Sequence, residues 1–262
     1  MQLQDKVILL TGADGGIGST IAKQLHQQGC QLIITGRSKE PLNQLNQAMQ
    51  GHHHVVVADL SQADDRQGLF DTVQKLGGID GLINNAGLSE FTFVEQQDTK
   101  YLETLLTVNI LAPMVLCQLF IPMLKQKPES FILNMGSSFG SIGYAGFSAY
   151  CSSKFAIRGY TETLRRELAD SPIQIMYLAP RATKTPINSP EVIAMNKALG
   201  NHMDEPEQVA QTLITMLKKN QQTVYMGWPE KLFVKINSIF PKLVDHALRS
   251  KLSIIRNFAT KQ

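Results

Sequence analysis

Tyr150 and Lys154 stand four residues apart in Tyr150-Cys151-Ser152-Ser153-Lys154, and Ser137 lies thirteen residues before the tyrosine. Four residues make about one helical turn, so on a helix the phenol and the ammonium share a face. A phenol titrates near about 10 and is a poor proton donor or acceptor at neutrality. A fixed ammonium within ~4–6 Å favours the phenolate and draws that value down. Such a pair could do general acid–base work near neutral pH. A hydroxyl such as Ser137 could hold the oxygen of a carbonyl or an alcohol beside it. The same spacing also occurs in ordinary solvated surface pairs, so its meaning rests on the elements that position it.

Those elements alternate. Apolar runs at residues 7–10, 31–35, 55–58, 81–83, 131–135, 173–178 and 223–226 read as strands. Their lack of polar alternation suits parallel strands covered on both faces. Helical patterns fill the intervals, at residues 16–28, 41–49, 64–76, 98–124, 149–169 and 206–219. This order predicts an α/β fold: a single doubly wound parallel sheet, Rossmann-like, with helices on both faces. Tyr150 and Lys154 then sit at the start of a helix, and Ser137 just past the end of a strand.

The first strand runs into Thr11-Gly12-Ala13-Asp14-Gly15-Gly16-Ile17-Gly18 and a helix follows. Glycines there allow a sharp turn and close approach of a ligand to the backbone. The open amides and the positive end of the helix dipole attract phosphate. Gly12, Asp14, Gly16, Ile17 and Gly18 are therefore expected to line a phosphate-bearing cofactor. At the end of the second strand an acid would hold a ribose 2′-hydroxyl, whereas an arginine accommodates a 2′-phosphate. Gly36 stands near the acid's place and Arg37 follows it. This favours NADP over NAD, although Asp14 and Gly15 supply no second cation. Asp59, closing the third strand, could accept a hydrogen bond from an adenine amine or cap the next helix. Asn85, Ala86 and Gly87 are small or amide residues suited to close backbone contact. In residues 98–124, Pro113 removes a backbone donor and frees the carbonyl of Asn109, which could hold a water.

Together, Thr11-Gly12-x-x-x-Gly16-Ile17-Gly18, Asn84-Asn85-Ala86-Gly87, Asn109, Ser137 and Tyr150-x-x-x-Lys154 resemble the short-chain dehydrogenase/reductase family over roughly residues 5–227. The resemblance implies hydride transfer between a nicotinamide and a carbonyl or alcohol carbon. It gives Tyr150 the role of general acid–base and has Lys154 lower its pKa and bind the nicotinamide ribose. Ser137, rather than Ser138, would orient the substrate oxygen, and Asn109 would anchor a proton-relay water. Thr183 would face the nicotinamide carboxamide, Thr185 the phosphates, and Asp59 and Leu60 the adenine, with Pro180 also among the cofactor-binding residues. Arg181 departs from the pattern, because the family usually has glycine after Pro180; it could narrow the cleft or add charge there. A non-catalytic nucleotide-binding regulator on the same fold is the alternative, but it would need no Tyr–Lys pair. A related sugar-nucleotide epimerase would carry a longer substrate domain. Phe139, Ile142, Tyr144, Phe147, Ile187 and Met195 are expected wall residues, which favours an apolar carbonyl substrate. Homodimers or homotetramers are the expected assemblies.

Composition bounds the rest. The chain has 262 residues, 43% hydrophobic and 18% charged, enough for one α/β domain with a small appendage. A net charge of +3 does not point to nucleic acid. Three cysteines without metal-ligand spacing suit a reduced, cytoplasmic chain, and no metal site is expected. His52, His53 and His54 read as a loop run, since neighbours on a strand point to opposite faces. No basic and apolar leader precedes the first strand, so no signal peptide is expected. Residues 105–124 are apolar, but Asn109, Pro113, Gln118 and Pro122 interrupt them and a buried core helix is expected.

The organisation expected is a catalytic domain over residues 1–227, with a flap at about 181–205, and an amphipathic extension over 228–262. After Glu230 the extension carries Lys231, Lys235, Lys242, Arg249, Lys251, Arg256 and Lys261 against one acid, Asp245. Leu232, Phe233, Ile236, Ile239 and Phe240 are expected on one face, then Leu243, Val244, Ala247 and Leu248 on another. Such segments can fold over the chain's own cleft or a neighbouring subunit. They can also lie in the interface of an anionic membrane, at its inner face, though neither is long enough to span it.

Overall fold

The computed structural model describes residues 1–259; Lys261, counted among the basic residues of the extension, lies outside them. Seven parallel strands form one sheet: β1 (Val7–Thr11), β2 (Gln31–Gly36), β3 (His54–Val57), β4 (Gly81–Asn84), β5 (Ser130–Met135), β6 (Ile173–Ala179) and β7 (Thr223–Tyr225). Their order is β3-β2-β1-β4-β5-β6-β7. The chain winds outward from β1 in one direction, then restarts beside it at β4 and winds in the other. The carboxyl ends of β1 and β4 therefore part at the point where the order reverses, which opens a crevice there.

The helices are α1 (Gly16–Gln27), α2 (Lys39–Ala48), α3 (Ala63–Lys75), α4 (Thr99–Leu106), α5 (Ala112–Leu124), α6 (Ser148–Glu167), α7 (Pro190–Ala198), α8 (Pro206–Lys218), α9 (Glu230–Ile239), α10 (Pro241–Arg249) and α11 (Leu252–Ala259). Alternate strand residues serve opposite faces. Ile8, Leu10, Leu32 and Ile34 pack with Ile21 and Leu25 of α1, Leu42 and Leu45 of α2, and Leu213 and Leu217 of α8. Leu9, Ile33, Leu82 and Ile132 pack with Leu69 and Val73 of α3, Leu116 and Phe120 of α5, and Leu164 of α6. Each such side chain, fully buried, is worth about 1.5–3 kcal/mol. This is the expected doubly wound sheet.

The long helical region expected over residues 98–124, with its distortion at Asn109 and Pro113, is present. A π turn, Thr107–Leu111, separates α4 from α5. Within it the Ala112 N–H donates to the Thr107 carbonyl, five residues back, and Pro113, the next residue, has no N–H to give the Asn109 carbonyl. By length and composition residues 99–124 could cross a membrane. Here Leu105, Ala112, Leu116, Phe120 and Leu124 are buried in the body of the protein.

Two local expectations are corrected. The histidine run is not simply a loop: His54 opens β3, and His53 is buried with Nδ1 accepting from Leu32 N and Nε2 at 3.0 Å from His26 Nδ1. Asp59 does not cap the next helix, because α3 begins at Ala63 with Gln62 as N-cap. Asp59 Oδ1 instead accepts from Ser61 N, an Asx turn.

The extension forms three short helices, and its faces differ from the expected stripes. Val234 is the buried residue of α9, while Leu232, Ile239 and Phe240 are exposed. In α10, Val244 is buried and Leu243 exposed; in α11, Ile255 is buried and Ile254 partly exposed. Ile255 packs in one cluster with Val192 and Met195 of α7, and with Phe91 and Phe147.

Candidate active site

One cavity of about 930 Å³ occupies the crevice. It is lined by Gly12, Asp14, Gly16, Ile17, Gly18, Arg37, Asp59, Leu60, Asn85, Ala86, Gly87, Ser137, Tyr150, Lys154, Pro180, Thr183 and Thr185. The fold thus brings together every expected catalytic and cofactor-binding residue except Asn109, which stands behind the wall. The six expected wall residues, Phe139, Ile142, Tyr144, Phe147, Ile187 and Met195, line it as well.

The glycine turn is shaped for close approach. Gly12 has φ +63°, and a Cβ there would come within 2.7 Å of the Ala86 Cα. A Cβ at Gly18 would meet the Gly12 carbonyl at 2.0 Å. Gly15 caps α1 with no side chain, so the first amides of the helix stay open to an anion. A latch fixes the turn against β4: Thr11 Oγ1 accepts from Asn85 N and Ala86 N, both at 3.0 Å. Asn85 Nδ2 donates to the carbonyls of Thr11 and Gly12 at 3.0 and 3.1 Å. The Asn85 amide is therefore spent on holding the turn. From the flap, Thr185 reaches over the turn; its Oγ1 is buried and has no partner. An open helix start facing an unpartnered hydroxyl fits a diphosphate.

At the end of β2 the structure places a charge the sequence order conceals. A Cβ on Gly36 would lie 2.4 Å from the Asp14 carboxylate, and Asp14 Oδ2 accepts from Arg37 N at 3.2 Å. The acid missing from the end of the strand is thus supplied from the glycine turn. Arg37 is exposed and lines the cavity.

Ser137 leaves β5 with its Oγ accepting from Phe139 N at 3.1 Å, and of the two serines it is the Ser137 hydroxyl that favours the ionised form of the Tyr150 phenol. The structure thus sets Ser137, not Ser138, against the tyrosine. Lys154 is 5% exposed and donates from Nζ to the Met135 carbonyl at 2.9 Å. Its Nζ lies 5.6 Å from the centroid of the Tyr150 ring. The expected lowering of the phenol by this lysine is not found. Tyr150 is half-buried on the cavity wall, and burial pushes its phenol up to about 12 against the help of Ser137. Burial likewise lowers Lys154 to about 8. The ammonium is turned to a carbonyl at the end of the strand and does not offset the loss of water around the phenol.

Asn109 acts on this pair from behind. Its Oδ1 accepts from Leu88 N at 2.8 Å, and its Nδ2 donates to Leu88 O and to Ser153 Oγ, each at 2.9 Å. Ser153 Oγ donates in turn to the Tyr150 carbonyl at 2.7 Å. The amide of Asn109 is fully used, and Pro113, four residues on, has no N–H to give the Asn109 backbone carbonyl.

Asn134, Thr161 and Tyr177 position the site without any signal in the sequence, and Asn84 stands there only as part of a motif. Asn84 Nδ2 donates to Asn134 Oδ1 at 2.8 Å, and Asn134 Nδ2 to Thr161 Oγ1 at 2.9 Å. This buried chain ties β4 and β5 to α6, the helix that carries Tyr150 and Lys154. Tyr177 lies under the Ser137 loop, where a Cβ on Gly136 would come within 2.1 Å of its ring. Arg181 adds no free charge to the cleft. It pairs with Asp204 at 2.8 Å and with Glu230 at 3.1 Å. A bridge between Thr183 and Asp204 joins the two ends of the 181–205 segment, and Arg181 ties it to the start of α9.

Residues 6–195 match the family model described as short chain dehydrogenase. The chain belongs to the short-chain dehydrogenase/reductase family. It is 26% identical over 257 residues to an uncharacterized oxidoreductase, YxnA, of Bacillus subtilis, covering 94% of this chain and 72% of that one. A short-chain dehydrogenase/reductase from Burkholderia phymatum, solved in complex with NAD, has a TM-score of 0.84 at 19% identity, over 93% of this chain and 96% of that one. A short-chain dehydrogenase from Sphingobium yanoikuyae, in complex with NADPH, has a TM-score of 0.77 at 24% identity, over 95% of each chain. Both likenesses are of fold. Membership of this oxidoreductase family gives the Tyr150–Lys154 arrangement its context.

Proposed function

We propose that this protein is an NADP-dependent oxidoreductase acting on an apolar carbonyl compound or the matching secondary alcohol. The observation that carries the reading is the meeting of Ser137, Tyr150 and Lys154 in one cavity with the open glycine turn. Bound there, a nicotinamide cofactor would supply or accept the hydride. Its diphosphate would lie on the start of α1 under Thr185, its adenine between Asp59 and Leu60, and its nicotinamide end by Pro180 and Thr183. Arg37 favours a 2′-phosphate, in competition with the Asp14 carboxylate beside it.

The chain's own residues do the rest. Ser137 Oγ orients the substrate oxygen toward the Tyr150 hydroxyl. A phenol held protonated donates to a developing alkoxide; in the reverse direction the phenolate would accept. Lys154, lowered to about 8 by burial and still an ammonium at neutral pH, would hold the nicotinamide ribose and relay protons toward a water on the Asn109 carbonyl. The wall of Phe139, Phe147 and Met195 excludes water and favours an apolar substrate. Residues 1–227, with the flap at 181–205, form the catalytic domain, and the extension from 228 roofs the cavity through Phe233 and Leu248. The exposed Leu111, Met114 and Phe155 on α5 and α6 and the turn before them suit self-association into a dimer or tetramer. A cytoplasmic setting accords with three free, buried thiols.

A screen of apolar ketones, aldehydes and secondary alcohols with NADPH and NADH tests this reading. Oxidation of NADPH by an apolar ketone is expected. Cofactor binding without turnover on any compound would favour a regulator in place of an enzyme.

A further inference from the structure

The outer face of α9 and α10 has no partner in the fold. Trp228 is 71% exposed, Ile239 67%, Phe240 59% and Leu243 63%. The inward packing of these helices is already complete without them. Val234 and Val244 are buried, Asn237 Nδ2 donates to the Ser141 carbonyl at 2.8 Å, and Phe233 and Leu248 line the cavity. Leu232, Lys235 and Ile239 follow at intervals of three and four, one stripe along the opposite side, and the exposed Trp228 lies in the turn just before the helix. Phe240 and Leu243 continue it around the corner into α10.

Charge decides what covers this face. Lys231, Lys235, Lys242 and Arg249 are exposed and make no ion pair among the described residues. Glu230 is engaged by Arg181, which leaves Asp245 as the remaining acid on these two helices. A second copy docked through the same face by a two-fold axis would set these cations against their equivalents. An anionic bilayer complements them, and aromatic and aliphatic side chains with lysines beside them are what the headgroup region accepts.

We infer that α9 and α10 dock the protein on the surface of an anionic membrane, with Trp228, Ile239, Phe240 and Leu243 entering the headgroup region. Trp228 and Pro229 also line the mouth of the cavity. The docked face therefore adjoins the entrance, and an apolar substrate dissolved in the bilayer reaches the site without crossing water. That delivery rests on the function proposed above; the docking does not.

Trp228 is the single tryptophan of the chain and so a built-in reporter. The full-length protein is titrated with vesicles of phosphatidylcholine alone and of phosphatidylcholine with phosphatidylglycerol, without substrate. A blue shift of its emission and co-sedimentation with the anionic vesicles are expected, weakening as salt is raised. The variants Ile239→Glu/Leu243→Glu and Lys235→Glu/Lys242→Glu should each bind roughly tenfold or more weakly, with parental circular dichroism. Neither pair touches the cavity, so the second remains informative if the first fails to fold. Absence of shift and sedimentation with anionic vesicles overturns the proposal. So does equal binding by a folded variant, or a parental oligomer that Ile239→Glu/Leu243→Glu converts to monomer, which would make the face a contact between copies. Vesicle binding with no turnover on any compound would leave the docking standing and remove only the proposed activity.

Discussion

Replacing Arg37 by alanine should remove most of the preference for NADPH. Arg37 is exposed, so a charge-assisted contact to a 2′-phosphate belongs at the lower part of the usual range, about 1.5–3 kcal/mol. Since about 1.4 kcal/mol is a factor of ten, NADPH should bind roughly 10- to 100-fold more weakly to Arg37→Ala, and NADH about as before. Asp14 opposes Arg37. Its carboxylate accepts from Arg37 N at 3.2 Å, where an incoming phosphate would meet it. At about 5 Å and a dielectric between those of a protein surface and water, one added like charge costs about 1–3 kcal/mol. Asp14→Asn keeps an acceptor for the Arg37 amide and removes that charge, so it should tighten NADPH about tenfold relative to NADH. Fluorescence titration of parent and both variants with each cofactor measures this directly. Equal affinity of the parent for NADH and NADPH, together with no response to Arg37→Ala, would refute the reasoning.

Three further outcomes follow from the same geometry. Arg181→Gly, which restores the residue usual in the family, leaves the buried Asp204 without its guanidinium, with only His202 at 3.6 Å beside it, and should cost about 3 kcal/mol of stability; urea melts of a double-mutant cycle with Asp204→Asn should show clear coupling, and simple additivity would contradict the clamp. Phe155→Glu and Met114→Glu should lower the mass seen by light scattering to that of a monomer; a parent already monomeric at micromolar concentration rules out assembly through that face. Burial and the neighbouring histidines lower His53 from about 6.5 to about 4. The unfolded chain binds the extra proton in that window, so stability is full above about 6.5 and is lost as pH falls toward 4. Thermal melts should show a shallower acid dependence for His53→Gln than for the parent; parallel curves would show that His53 does not control it.

The alternation of apolar runs and helical patterns was enough to read the doubly wound sheet, because burial on both strand faces leaves a periodic mark. The glycine turn and the Tyr150–Lys154 pair were legible for the same reason: backbone clearance and helical spacing are local demands. Even the distortion of the helix had a local mark in Pro113. What sequence order hid is polar and long-range. Asp14 meets Gly36 and Arg37 across two strands, and Arg181 finds Asp204 and Glu230 far along the chain. The Asn84–Asn134–Thr161 chain likewise joins three elements with no periodicity to announce it. The pKa of Tyr150 went the other way from expectation because helical spacing fixes which face a lysine shares, not where its ammonium points. In the extension, apolar residues lie on both sides of each helix, so spacing alone could not say which side meets the body.

Tyr150→Phe tests the central claim most directly. The ring stays, with its contacts to Phe139 and Phe147, and only the hydroxyl that meets Ser137 is lost. On a ketone that the parent reduces, turnover should fall by about 10² or more, while the NADPH affinity and the melting temperature stay close to those of the parent. Turnover near the parental rate in a folded, cofactor-binding Tyr150→Phe variant would contradict the account, since the proton would then be moved by some other group.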